Sequence, residues 1–119
     1  MEKNEGGKKM MYHYHKLVRD NIPDEINKIK GRKATWRLLK EEEYKQELNK
    51  KLLEEANEFI EAHEIEELAD LMEVIQTIME LENIDIQKVR EKQQEKRNKK
   101  GSFKDRIYLE MVEQENDKK

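Results

Sequence analysis

Apolar residues along the chain fall into blocks with a helical repeat, separated by short polar links. From about Glu41 to Ala62, the residues Tyr44, Leu48, Leu52, Phe59 and Ala62 keep to one side of a 3.6-residue repeat, which predicts a long helix with one apolar face. After a short connection near His63 and Glu64, a second helix is expected from about Ile65 to Glu82. It carries two stripes, Ile65/Leu68/Met72/Ile75/Met79 and Leu71/Val74/Ile78/Leu81. A lone hairpin cannot cover a helix on two sides, so another helix or a second subunit is implied. Asn83-Ile84-Asp85 reads as a turn and N-cap, followed by a polar, solvated helix from about Ile86 to Asn98. Nearer the start, Pro23 suits a first helical turn, Asp24 and Glu25 suit its positive end and Gly31 its stop, which predicts a short helix from about Ile22 to Lys30. KATWRLL, residues 33–39, reads as a brief strand or a docking arm, and the tail from Gly101 as a short helix through Ile107, Leu109 and Val112.

This pattern defines an all-α fold: a helical bundle of two long antiparallel helices plus shorter ones, its core completed by oligomerisation. With 119 residues there is material for one domain. Charged residues make up 45% and apolar ones 34%, a balance that would favour disorder were the apolar positions not grouped. One Pro and four Gly give too few turns for an all-β chain. The polar residues 1–11 read as a disordered leader, 12–112 as the folded domain and 113–119 as a frayed charged tail. A net charge of −3 offers no positive field for a nucleic-acid polymer. The absence of cysteine excludes disulfides, thiolate zinc sites and cysteine nucleophiles. No apolar run reaches the roughly 20 residues of a membrane helix, and the polar start lacks a signal-peptide core. The expected location is the cytoplasm.

The chemistry lies in Glu54-Glu55-Ala56-Asn57-Glu58 on the first long helix and Glu67-Leu68-Ala69-Asp70 on the second. Helical neighbours three apart sit side by side, so Glu55/Glu58 and Glu67/Asp70 form two pairs of like charge. A chain with 28 acidic residues contains such spacings by accident, and acids at the edge of a stripe are normally just solvated. Position distinguishes these: Glu55 stands three residues after Leu52 and four before Phe59, inside the apolar stripe, and Glu67 extends the Leu71/Val74/Ile78/Leu81 stripe by a turn. Inward carboxylates are costly unless paired or bound to a cation, and a hard divalent ion prefers oxygen ligands. The residues alone leave both alternatives open, a metal site or exposed acids at stripe edges.

EExxE followed by ExxD on consecutive helices resembles the MazG-like, all-α nucleoside triphosphate pyrophosphatase superfamily. Two more segments resemble its small single-domain, phosphoribosyl-ATP pyrophosphohydrolase-like branch: YHKLVRDNIPDEI near the start and KRNKKGSF near the end. Together these span roughly residues 12–112, and LVRDNIP is the more specific string. The resemblance implies Mg²⁺, with Mn²⁺ as a substitute, held by Glu55, Glu58, Glu67 and Asp70, with Glu54 and Glu55 in the catalytic role. It implies hydrolysis between the α- and β-phosphates of a nucleoside triphosphate, giving a monophosphate and pyrophosphate in a house-cleaning role, by a homodimer or homotetramer. Lys96, Arg97 and Lys99 before Gly101 would hold phosphate, with Lys16 and Arg19 as a second source. Gly101 would let the chain turn closely past the ligand, and Phe103 would pack on it or on the core. The link between Glu58 and Glu67 is short compared with many relatives, so base-recognition elements would come from elsewhere.

Each of these residues also has a plainer reading. An exposed Lys/Arg run on a terminal helix more often serves solubility, and Trp36, Tyr44 and Phe59 at helical spacing more often serve the core than a base. His13 and His15 receive no role. Competing functions are phosphoribosyl-ATP hydrolysis in histidine synthesis, a non-catalytic helical interaction module, and a nucleotide sensor derived from a pyrophosphatase.

Overall fold

A computed structural model of the chain describes residues 8–116. Four helices and no strand occur among them: α1 (Ile22–Asn27), α2 (Glu41–Ala62), α3 (Ile65–Leu81) and α4 (Ile86–Lys100). The chain divides into two compact units, one ending at Ile78 and one beginning at Met79. No helix among the described residues is long and apolar enough to cross a membrane.

In the first unit, residues 8–21 form an irregular segment that leads into α1. Pro23 occupies the first turn of α1, where its missing N–H costs nothing, and Asp24 and Glu25 face the positive end of the helix dipole. The helix ends at Asn27, three residues before the expected Lys30. Two features explain the early stop. The Asn27 side chain turns back to accept a hydrogen bond from the Ala34 N–H at 2.8 Å, and Ile29 and Arg32 bond three residues back rather than four. Gly31, at φ +83, then completes the turn.

Residues 32–40 are irregular, so KATWRLL forms no strand; Trp36 and Leu38 are exposed, while Ala34 and Leu39 are half-buried. Arg37 in this stretch reaches Glu43 with two nitrogens, at 3.3 and 3.1 Å, and fixes the entry to α2. Glu41, Glu42 and Glu43 load the first turn of α2 with the charge its dipole favours. His63 ends the helix in a left-handed conformation, φ 54, its N–H donating to the Phe59 carbonyl at 2.7 Å while its ring meets the Phe59 ring edge-on. A two-residue link then starts α3, which runs back antiparallel, bringing Asp70 close enough to Glu55 for their charges to interact.

The core is small. Leu48 on α2, 3% exposed, and Val74 on α3 are the buried hydrophobic residues among those described. They are flanked by the half-buried Tyr44, Leu52, Phe59, Leu71 and Ile78. The inner stripe of α3 is covered as expected. The second stripe is not: Ile65 (80% exposed), Leu68, Met72 (65%) and Ile75 lie open, and on α2 so do Leu53 and Ile60.

In the second unit, α3 closes with Asn83 at φ 57 and the Ile84 N–H reaching back to the Met79 carbonyl at 2.8 Å, a Schellman arrangement. Asp85 caps α4, its carboxylate accepting from the Gln87 N–H at 2.8 Å. No residue of α4 is buried, and Arg97, Lys99 and Lys100 fill its last turn, where the dipole is negative. The helix runs two residues beyond the expected Asn98, to Lys100, and is capped by Gly101, whose φ of +90 favours glycine.

The helix expected through Ile107, Leu109 and Val112 does not form; residues 106–116 are irregular. Arg106 takes a left-handed φ of 60 at its start, and a segment of that length has too few hydrogen bonds to offset helix nucleation without packing. Residues 8–11 of the expected leader and 113–116 of the expected tail are irregular and exposed, while 1–7 and 117–119 lie outside the described residues.

Candidate functional site

The periodicity of α2 places Leu48, Leu52, Glu55 and Phe59 on its inner side, and Glu55 follows the apolar residues inward. It is 6% exposed, the only buried polar residue among those described. Among the described residues no hydrogen bond or ion pair reaches its carboxylate, whereas Glu54 beside it has two cationic partners, Lys51 at 3.0 Å and Lys16 at 3.3 Å. Oxygen atoms of Glu54, Glu55 and Glu58 lie within 4.8 Å of one another, a spacing at which three carboxylates could hold one cation.

The two neighbours on α2 are pushed in opposite directions. Burial, and then the charges of Glu58, Asp70 and Glu54, raise the Glu55 carboxyl above its ordinary range against the pull of Lys51. The hydrogen bonds and charges of Lys51 and Lys16 hold Glu54 below that range. The ionised form is therefore favoured at Glu54 and disfavoured at Glu55, one residue apart.

On α3, Glu67 and Asp70 are half-buried and fall outside the 4.8 Å group of three. Asp70 accepts from Arg19 at 2.7 Å. Glu67 has one enclosed oxygen, Oε1, without a hydrogen-bond partner among the described residues. A buried carboxylate oxygen left unpaired is costly. Glu55 on α2 and Glu67 on α3 thus each turn a carboxylate inward without a hydrogen-bond partner among the described residues, although only Glu55 belongs to the group of three.

The second set of expected phosphate ligands is thus found on the acids themselves, Lys16 on Glu54 and Arg19 on Asp70. Lys96, Arg97 and Lys99 lie exposed on the last turns of α4, in the second unit. Gly101 keeps the backbone conformation expected of it, but a side chain there would meet nothing within 4 Å, so close approach is not its constraint within this chain. Phe103 is 99% exposed and does not join the core. Lys51 is the residue that reading the sequence passed over. It stands three before Glu54 and four before Glu55, the spacing of helical ion pairs, so the signal was present.

No family model, curated protein or solved structure matches the chain.

Proposed function

We propose that the protein is a divalent-cation-dependent nucleoside triphosphate pyrophosphohydrolase of MazG-like type, with Glu55, Glu58, Glu67 and Asp70 as the ligands of magnesium. The observation that carries this reading is Glu55, a carboxylate 6% exposed within a group of like charges and, among the described residues, with no hydrogen bond or close ion pair. Burial and crowding with like charges disfavour the ionised carboxylate, and a bound cation would offset that cost. The unpaired Oε1 of Glu67 supports it independently.

Magnesium at these residues would neutralise phosphate charge and increase the acidity of a bound water. The chain's own contribution is distributed among its neighbours. Glu54, kept ionised by Lys51 and Lys16, orients the water through its carboxylate. Glu55, whose charge burial and the neighbouring acids disfavour, is the carboxylate that a bound cation would relieve most. The water oxygen bonds to the α-phosphorus, the anhydride bond to the β-phosphate breaks, and pyrophosphate leaves with the electron pair. Lys16 and Arg19, next to the acids, are the cations proposed for the phosphate chain, and Lys96, Arg97 and Lys99 are carried over from the resemblance alone.

The bare stripe Ile65/Leu68/Met72/Ile75 with Leu53 and Ile60 supports assembly into a homodimer or homotetramer, since exposed apolar faces of this kind mark interfaces. The cytoplasm is the proposed setting, in keeping with the lack of cysteine. A non-catalytic helical interaction module would share that apolar face but has no use for Glu55.

The test is pyrophosphate release from standard and modified nucleoside triphosphates, with and without Mg²⁺, for the native protein and for folded Glu55→Gln and Asp70→Asn variants. Magnesium-dependent release lost in both variants is expected. No turnover and no metal binding would leave the interaction module.

A further inference from the structure

Lys16 and Arg19 come from one short stretch, Lys16-Leu17-Val18-Arg19, at the entry to α1. Leu17 is half-buried between them, and the Arg19 carbonyl accepts from the Ile22 N–H at 3.0 Å, which ties the pair to the start of the helix. Their head groups reach separate helices: Lys16 goes to Glu54 on α2 at 3.3 Å and Arg19 to Asp70 on α3 at 2.7 Å. Both pairs are open to solvent, and exposed ion pairs stabilise a fold only weakly. They are therefore poor anchors and easily exchanged counter-charges. Among the described residues Asp70 has no other ion-pair partner, whereas Glu54 would keep Lys51 when Lys16 leaves.

We infer that Lys16 and Arg19 are the resident counter-cations of the acidic site, displaced from Glu54 and Asp70 when a divalent ion binds and thereby freed to take the phosphate chain of the substrate. The inference rests on the metal reading proposed above and adds an order to it, metal first and phosphate second. One segment can perform both tasks because a divalent ion at the acids takes up carboxylate charge that the two cations otherwise hold. Without the ion, the acids attract Lys16 and Arg19. With the ion and an anionic ligand, the strongest attraction for them is the ligand. A purely structural pair would behave otherwise, since losing it would loosen the site toward metal and anion alike.

The test is calorimetric titration of the full chain with Mg²⁺ alone, then with pyrophosphate in excess Mg²⁺, for the native protein, Lys16→Gln, Arg19→Gln and Arg19→Lys. Each Gln variant is expected to bind Mg²⁺ roughly two- to five-fold more tightly, the range an exposed ion pair carries. Each is expected to bind pyrophosphate at least about ten-fold more weakly, the loss of a charge-assisted hydrogen bond. Arg19→Lys is expected to stay close to the native protein in Mg²⁺ affinity. Gln variants that bind Mg²⁺ equally or more weakly would overturn the inference while leaving the metal site standing. No Mg²⁺ binding by the native protein would overturn the metal reading itself and this inference with it. A measurement free of folding effects is the Arg19 Nε–H resonance of the native chain. Saturating Mg²⁺ is expected to shift it to the position of a solvated guanidinium, and an unmoved signal would contradict displacement.

Discussion

Glu55→Gln replaces a buried anion with a neutral group of the same shape, and its effect on the metal-free protein can be worked from the structure. The nearest carboxylates, Glu54 and Glu58, have oxygens within 4.8 Å of the cluster's other ligand atoms. Two unit charges at about 4.8 Å repel by roughly 1 kcal/mol in water and roughly 3.5 kcal/mol at an effective dielectric constant of 20. Glu58 is exposed and Glu54 is partly neutralised by Lys51 and Lys16, so the lower end applies to each. Removing the charge should therefore stabilise the protein by on the order of 1–2 kcal/mol in a chelator, a rise in Tm of roughly 4–8 °C per kcal/mol for a small domain. The assay is thermal unfolding by circular dichroism in EDTA and again in Mg²⁺. Native protein should gain stability with Mg²⁺ and the variant should not, so that the order of the two proteins narrows or reverses between the buffers. A variant less stable than the native protein in EDTA would refute the reasoning, because it would mean that the Glu55 carboxylate already has a compensating partner.

Further outcomes follow from the same structure. Leu48→Ala should cost about 2–5 kcal/mol, a large part of the stability of so small a core, read as a fall in Tm. Asp85→Ala removes the cap of α4 and should cost about 1 kcal/mol, with fraying visible as reduced helical circular dichroism. The folded protein protonates Glu55 at a higher pH than the unfolded chain does, so Glu55 opposes folding at neutral pH, and that opposition fades as pH falls through its raised pKa. Glu54 acts in reverse: its lowered pKa contributes stability that is present above the unfolded value and lost as pH falls through the folded one. Stabilisation by Mg²⁺ should accordingly diminish on acidification before the metal-free fold is lost, as thermal unfolding across pH would show. Met72→Lys should lower the sedimentation coefficient if the bare face of α3 joins subunits; an unchanged value would locate the interface elsewhere.

How much the sequence disclosed depended on the range of the interaction involved. The limits of α2, Glu41–Ala62, were readable because its apolar positions keep a helical repeat up to the link, and Asp85 declared itself as a cap through its place before a new repeat. The inward direction of Glu55 was equally local, fixed by its distance from Leu52 and Phe59. The end of α1 was not readable, since it turns on the Asn27 side chain bonding the Ala34 N–H across a loop. Nor was the absent helix after Gly101, where apolar spacing suggested order but no packing partner supports it among the described residues. The pairing of Lys16 with Glu54 and Arg19 with Asp70 spans 38 and 51 residues, and no spacing rule reaches so far. Reading these two cations from the sequence gave their charge and its suitability for phosphate, but not the acids they occupy first.

The central claim is attack by water at the α-phosphorus of a nucleoside triphosphate, supported by the carboxylates of α2 and α3. Its most direct measurement is turnover in ¹⁸O-labelled water with Mg²⁺, with products identified by ³¹P NMR and mass spectrometry. The expected result is unlabelled pyrophosphate and a monophosphate carrying one ¹⁸O, with the reaction abolished by chelator and reduced more than about 100-fold in Glu55→Gln. Label in pyrophosphate, release of orthophosphate, or turnover indifferent to chelator and to Glu55 would contradict it.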